Sequence, residues 1–131
     1  MEKTYQDIIN KYPQLFERAS LSETESCMGR GIECGIGWYS LIDKMCYDLE
    51  QLFVGIPYSN YPKIEQVKEK FGSLRVYIDF FDSSLHLSDK AYGIIYQAEH
   101  DSSKICETCG EPGSVIQKSG WIYCACEKHR S

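Results

Sequence analysis

Five potential zinc ligands fall in the last 26 residues of this 131-residue chain, and their spacing limits how that segment folds. Cys106 and Cys109 are two residues apart and precede Gly110, the pattern of a knuckle that points two thiolates at one metal ion. A second group occupies residues 124–129, after a stretch over 115–123 whose Lys-Ser-Gly predicts a hairpin turn. This hairpin would fold the chain back and bring the second group beside the first.

Zinc takes four ligands in a tetrahedron, so one of the five candidates must be spare. Cys126 and His129 repeat the two-residue gap of the first pair, and the predicted ligands are therefore Cys106, Cys109, Cys126 and His129. Cys124 is either the spare or a substitute for His129. A full set of four protein ligands leaves no position for water, which predicts a structural ion. The alternatives are a reduced cysteine cluster without metal and, less favoured because a second Cys/His pair is present, a redox Cys-x-x-Cys.

The length of the chain predicts a single compact unit made of two parts. Residues 1–103 are expected to form an α+β body, and residues 104–131 a zinc-binding module packed on it. A segment of about 30 residues cannot bury a core that stabilises it alone. Zinc binding, on the order of 10 kcal/mol, would supply the missing folding energy.

Hydrophobic periodicity predicts three helices and an antiparallel hairpin in the body. The fold class is thus α+β, with helices packed on a small antiparallel sheet and a C-terminal zinc-ribbon or treble-clef-like module. Residues 64–70 suit either a strand or a short helix, and the glycine at position 72 favours the hairpin. The predicted elements are a helix over 4–18 that Pro13 kinks or splits, an irregular loop over 19–37, a helix over 38–53, a hairpin turning at 70–73, and a helix over 88–103 capped by Ser88.

Two stretches of the body are candidates for binding an anion. Three cations and an aromatic residue occur close together in the predicted hairpin and could grip a phosphate or carboxylate: Lys68, Lys70, Arg75 and Tyr77. The alternative, slightly favoured, is a solvated hairpin in which Glu65 and Glu69 pair with the lysines. The glycine-rich loop over 29–38 leads into a helix and contributes Arg30 and Trp38 as further ligand candidates, although its spacing matches no phosphate-binding motif and favours a loop that covers the core.

Composition narrows the function further. The net charge of −5 disfavours broad nucleic-acid binding, which depends on clustered Lys and Arg. No apolar run approaches the ~18 residues that cross a membrane, and the N-terminus lacks the apolar core of a signal peptide. We therefore expect a cytoplasmic protein with reduced cysteines. No catalytic constellation is evident, and the acids that lie close together beside a strand end, Asp79 and Asp82, are weak evidence for an enzyme.

Several motifs occur together in an order that resembles a group of small uncharacterised proteins encoded by bacteriophages and prophages. They are Gly35-Ile36-Gly37-Trp38, Gln66-Val67-Lys68-Glu69-Lys70-Phe71-Gly72-Ser73-Leu74-Arg75, Cys106-x-x-Cys109-Gly110, Gly120-Trp121-Ile122 and Cys126-x-x-His129. The resemblance covers roughly residues 29–130. Its usual Cys-x-x-His ending supports Cys126 and His129 as ligands. The group often has an acid where this chain has Ile36, so the resemblance implies no acid-dependent role for that loop in this chain.

The resemblance implies a phage setting, in which small accessory proteins often interfere with host machinery. The first hypothesis is a non-enzymatic, zinc-stabilised binder in the bacterial cytoplasm that counteracts host defence by capturing a host protein or a small anionic, nucleotide-like signal. The alternatives are a nucleic-acid-binding zinc protein and a phosphodiester-cleaving enzyme. A second copy of the chain is a further candidate partner, and no membrane partner is expected.

Overall fold

The protein was analysed as a computed structural model that describes residues 4–21 and 26–130, apart from the side chains of residues 82–84. Over these residues the chain forms three α-helices and five β-strands, joined by short 3-10 helices. The helices are α1 (Tyr5–Lys11), α2 (Tyr39–Leu52) and α3 (Ser88–Ser102). The strands are β1 (Ile32–Glu33), β2 (Lys63–Lys70), β3 (Ser73–Asp79), β4 (Ser114–Lys118) and β5 (Trp121–Ala125).

The strands form two sheets. The first has the order β1-β2-β3, with β2 and β3 antiparallel and β1 parallel to β2; the second is the β4-β5 hairpin. The predicted hairpin is therefore confirmed, and its turn consists of Phe71 and Gly72, both at positive φ. The α+β class predicted from the sequence is confirmed as well. The short parallel strand β1 was not predicted, because it lies in the stretch that was interpreted as an irregular loop over 19–37. Residues 22–25 of that stretch lie outside the described part of the chain.

One hydrophobic core joins the inner face of the first sheet to the helices. Val67, Leu74 and Val76 alternate with outward-facing residues along β2 and β3, and α2 and α3 cover them with Ile42, Leu49 and Ile95. The predicted bounds of α2 and α3 differ from the observed ones by one residue at one or both ends. The predicted helix over 4–18 is shorter in the structure: α1 ends at Lys11, since the residue before Pro13 is driven away from helical geometry. A 3-10 helix over Glu17–Ser20 follows.

The start of α3 also differs from its prediction. Ser88 is the first residue of the helix and not its cap; Leu87 occupies the cap position and makes no side-chain capping bond. A 3-10 helix over Asp82–Leu87 leads directly into α3, so the chain is already turning before the first helical residue.

Helix α3 also covers the outer edge of β3. The Ser102 hydroxyl accepts a hydrogen bond from the Leu74 N–H at 2.8 Å, and the Glu99 carboxylate accepts one from the Val76 N–H at 3.0 Å. Backbone donors at a sheet edge normally pair with another strand or with water. Here two side chains of a helix take the place of that strand.

Candidate metal centre and the basic face of the sheet

The first Cys pair lies on a tight turn after α3. The Gly110 N–H donates to the Cys106 carbonyl at 2.9 Å, and the Cys106 N–H donates to the Glu111 carbonyl at 2.7 Å. Gly110 has φ +85°, a conformation that residues with a Cβ rarely adopt, which explains why glycine follows the second cysteine. The turn points the two sulfurs to the same side.

The second pair follows the β4-β5 hairpin, as its spacing predicted. Strand β5 ends at Ala125, and a 3-10 turn over Glu127–His129 places the imidazole beside the Cys126 sulfur. The backbone N–H of His129 donates to the Cys126 carbonyl at 3.1 Å, which closes this turn. The hairpin thus returns the chain to the first knuckle.

The four predicted ligands meet at one point. The ligand atoms of Cys106, Cys109, Cys126 and His129 all lie within 4.8 Å of one another, so this group could hold a metal ion. The Cys109 and Cys126 sulfurs are 3.7 Å apart, and His129 Nδ1 lies 3.6 Å from the Cys106 sulfur and 3.2 Å from the Cys126 sulfur. Cys106 and Cys126 are buried, whereas Cys109 and His129 are exposed.

The electrostatics of the site favour a thiolate at Cys106. Burial raises the pKa of this thiol, but the backbone N–H groups of Cys126, Cys109 and Thr108 stabilise the anion and lower the pKa to about 6. At Cys109 the N–H of Glu111 lowers the pKa, yet burial and the neighbouring sulfurs of Cys106 and Cys126 raise it overall. One negative charge is therefore already favoured at the centre of the group near neutral pH, and a cation would favour the others.

Cys124 is the spare cysteine. Its sulfur is buried and donates to the Ile105 carbonyl at 3.0 Å, outside the group of four. Burial raises the pKa of this thiol, consistent with a protonated donor. Cys124 lies within β5, whereas Cys126 follows the end of that strand and begins the turn that carries His129.

The glycine-rich loop packs against the first knuckle and forms hydrogen bonds with it. The Gly37 N–H donates to the Glu107 carbonyl at 2.8 Å, and the Gly35 N–H donates to the Glu107 carboxylate at 2.8 Å. A Cβ on Gly37 would lie 2.6 Å from the Gly110 nitrogen and closer still to the Cys106 carbonyl oxygen. Both glycines are thus required by a close approach of two backbones, and the interpretation of this loop as structural is the one that the geometry supports.

This contact corrects one predicted ligand residue. Trp38 has no exposed surface, and its indole N–H donates to the Ile105 carbonyl at 2.8 Å. The prediction that Trp38 contributes to a ligand surface is wrong, because its ring fills the junction between α2 and the knuckle. Glu107, which the sequence analysis did not single out, joins the knuckle to the glycine-rich loop by accepting hydrogen bonds from Gly35 and Gly37. Burial raises the pKa of its carboxyl group. The two glycines spaced by one residue before Trp38 were the available signal for such a contact.

The predicted cationic residues of the hairpin share the outer face of the first sheet. Lys68 and Arg75 are opposite each other in the β2-β3 register, and Tyr77 follows two residues later on the same face. The Lys68 ammonium lies 5.8 Å from the centre of the Tyr77 ring. Lys70 is on this face at the end of β2, 5.5 Å from the Phe71 ring centre. Arg30 is exposed on a separate element, the 3-10 helix Cys27–Arg30.

Two of the three glutamates near these cations are bound elsewhere. Glu65 forms an ion pair with Arg18 at 2.8 Å, and Glu69 accepts a hydrogen bond from the Gly72 N–H at 2.8 Å. Glu33 lies beside Lys68 in the β1-β2 register. Within the described ranges, no ion pair within 4.0 Å joins an acid to Lys68 or Arg75.

A cavity of about 310 Å³ opens at the β3 side of this face. Its walls combine Arg75 and Tyr77 of β3 with residues of α3 that the sequence analysis missed, Tyr92 and Tyr96. The two tyrosines are four residues apart, a spacing that puts them on one side of a helix and could have identified them.

None of the helices in the described part of the chain combines the length and apolarity needed to cross a membrane. Comparison with protein-family models, with curated proteins and with solved structures gave no match to this chain.

Proposed function

We propose that the metal is zinc and that its role is structural. Three thiolates and one imidazole are a common ligand set of structural zinc sites. A tetrahedral zinc ion, with Zn–S of about 2.3 Å and Zn–N of about 2.0 Å, requires S–S separations of about 3.8 Å and S–N separations of about 3.5 Å. The 3.7 Å between the Cys109 and Cys126 sulfurs and the 3.6 Å between the Cys106 sulfur and His129 Nδ1 agree with these values, while the 3.2 Å between the Cys126 sulfur and His129 Nδ1 is shorter.

Metal analysis of two cysteine variants tests the ligand set. Cys126→Ser is expected to lose the zinc and most of the stability, because it removes one of four ligands. Cys124→Ala is the matched control, since it removes a buried thiol two residues away that lies outside the group. It should keep one zinc per chain and cost about 1 kcal/mol; the Ile105 carbonyl retains its bond from Trp38. If the Cys124 variant lost its zinc and the Cys126 variant kept it, Cys124 and not Cys126 would be the ligand.

We further propose that the chain is a zinc-stabilised, non-enzymatic binding protein that takes an anionic group on the outer face of its first sheet. The observation that carries this proposal is the cross-strand pair of Lys68 and Arg75. The neighbouring glutamates 65 and 69 are bound to other groups, and Glu33, beside Lys68 in the register, forms no ion pair with it within 4.0 Å in the described ranges. A guanidinium and an ammonium on directly opposite residues of two paired strands can contact two oxygens of one phosphate.

The enzymatic alternative has less support from the same geometry. Four protein ligands would fill the coordination shell of zinc and leave no place for a hydrolytic water. Asp79, one of the two acids considered for catalysis, forms an ion pair with Arg18 at 2.9 Å. The side chain of Asp82, the other acid, lies outside the described residues.

The resemblance to phage-encoded proteins suggests where such a ligand would be met. A small binder produced in an infected bacterium could counteract host defence by removing an anionic signal or by occupying an anionic surface of a host protein. The net charge of −5 and the small extent of the basic face favour a compact ligand over a long nucleic acid.

Calorimetry on the intact zinc-loaded chain tests the binding proposal. Pyrophosphate and nucleotides serve as probes, and Lys68→Gln with Arg75→Gln should weaken their binding at least about tenfold, because charged hydrogen bonds contribute about 1.5–3 kcal/mol. Lys90→Gln on α3 is the control, since it removes an exposed charge away from this face. Binding should also weaken with salt. Equal affinities of all three proteins, or no heat with any probe, would refute the proposal.

A further inference from the structure

We infer that the anionic ligand carries an aromatic ring, as a mononucleotide does, and that the ring enters the cavity between Tyr77 and Tyr96. This inference rests on the proposed anion binding at Lys68 and Arg75 and specifies the rest of the ligand. The cavity adjoins that pair directly, because Arg75 is part of its wall. A ligand whose phosphate contacts the two cations would therefore extend towards the tyrosines.

The aromatic wall of the cavity is formed by side chains of α3 that pack on one another. The Tyr92 and Tyr96 rings are stacked, with centres 5.7 Å apart and planes 18° from parallel. Tyr92 is held from the other side by the edge of Phe80, at 5.4 Å and 73°, and Phe80 packs in turn against the buried Phe53. Tyr96 is the outer ring of this series and is 61% exposed. A planar ring placed on Tyr96 would continue an existing stack.

The cavity offers an anion the guanidinium of Arg75. Of its two acids, Glu65 pairs with Arg18, and one oxygen of the Glu99 carboxylate accepts a hydrogen bond from the uncharged Val76 N–H. The side chain of Arg75 makes no hydrogen bond or ion pair with another residue of the described ranges. A phosphate of the ligand would contact this guanidinium, which binds phosphate through two parallel hydrogen bonds. The Lys68 ammonium, near the Tyr77 ring, is placed to contact the same group.

The size of the cavity suits a single nucleotide unit. Its volume of about 310 Å³ is at the lower end of the range for small-molecule sites, about 300–1,000 Å³. Stacking of one base on an aromatic side chain changes affinity by about 5- to 150-fold. A nucleotide should accordingly bind by this factor more tightly than the same sugar phosphate without its base.

The experiment compares four ribonucleoside 5′-monophosphates with ribose 5-phosphate, by calorimetry on the intact zinc-loaded chain. At least one nucleotide is expected to bind 5- to 150-fold more tightly than ribose 5-phosphate. Tyr96→Leu should abolish this advantage and leave ribose 5-phosphate unchanged, whereas Arg75→Gln should weaken both ligands. Tyr47→Leu is the control, because Tyr47 is a similarly exposed tyrosine on α2.

The outcomes separate this inference from the proposed function. If ribose 5-phosphate and the nucleotides bind equally and Arg75→Gln weakens both, the anion site stands and the aromatic subsite is refuted. If none of the compounds binds, both proposals fail. A short thymidine oligonucleotide that binds more tightly than any mononucleotide, through Tyr96, would overturn the assignment of a single-nucleotide ligand and indicate a strand-binding surface.

Discussion

At the scale of single residues, the two glycines before Trp38 connect the body of the protein to its candidate metal centre. Gly35 and Gly37 allow the backbone of the knuckle to approach the start of α2, and their N–H groups donate to Glu107. A residue with a side chain at either position would collide with backbone atoms, which cannot move away as a flexible side chain can. A glycine pattern that suggested phosphate binding is therefore explained by contact between two segments of the same chain.

Replacing Gly37 by alanine should be strongly destabilising. The added Cβ would overlap the Cys106 carbonyl and the Gly110 nitrogen, so the knuckle must shift, and we expect a loss of at least about 2 kcal/mol together with weaker zinc binding. Chemical denaturation and zinc competition would measure both effects.

The same substitution at Gly93 provides the control. A Cβ there meets no atom within 4 Å, and alanine is the better helix former in the middle of α3. Gly93→Ala should therefore raise the stability by about 0.5–1 kcal/mol. Similar small effects of the two substitutions would show that the glycine loop does not support the knuckle in solution.

At the scale of secondary-structure elements, the relation between α3 and β3 is the least predictable feature of the fold. Ser102 is completely buried, although it is a polar residue, because its hydroxyl accepts from the Leu74 N–H and donates to the Glu99 carbonyl at 2.6 Å. The helix therefore contributes hydrogen bonds to the sheet as well as apolar contacts.

Ser102→Ala should cost about 1–3 kcal/mol, because it leaves the buried N–H of Leu74 without an acceptor. The adjacent Ser103 is the matched control: its hydroxyl bonds to the His100 carbonyl of its own helix, and Ser103→Ala should change the free energy of unfolding by less than about 0.5 kcal/mol. Urea denaturation of the two variants checks the difference, and equal costs would argue that water reaches the β3 edge.

Whether a feature could be predicted from the sequence depends on how far apart along the chain its interacting residues lie. The grouping of Cys106, Cys109, Cys126 and His129 was predictable, because two-residue gaps impose local turns whatever the rest of the chain does. The bounds of α2 and the β2-β3 hairpin were predictable from periodicity and from a glycine at the turn. The burial of Trp38 and the bonds of Ser102 were not, since their partners lie 67 and 28 residues away along the chain.

At the scale of the whole molecule, the C-terminal segment with the candidate metal centre packs against the rest of the chain in two places. The module contacts the body through the glycine loop and through the β2-β3 turn, where a Cβ on Gly72 would lie 3.1 Å from a Val115 methyl group. The order of 10 kcal/mol that zinc contributes to a small module is comparable with the total stability of a typical domain, about 5–15 kcal/mol. The stability of the sheet and helices should therefore depend on the metal.

Removal of zinc by a chelator should consequently unfold more than the C-terminal segment. The chain contains two tryptophans, and Trp121→Phe leaves the fully buried Trp38 as the remaining reporter of the body. In this variant we expect chelation to shift the Trp38 emission to longer wavelength, and added zinc to restore it. An unchanged spectrum after metal loss, confirmed by metal analysis, would instead show that the body is stable without its module.

The side chains of α3 that occupy the β3 edge have a consequence for how partners can approach. A peptide that extends a sheet must hydrogen-bond to free backbone groups on an outer strand, and the N–H groups of Leu74 and Val76 are already used. Recognition by strand addition, and with it the growth of fibres from this edge, is blocked by the fold itself.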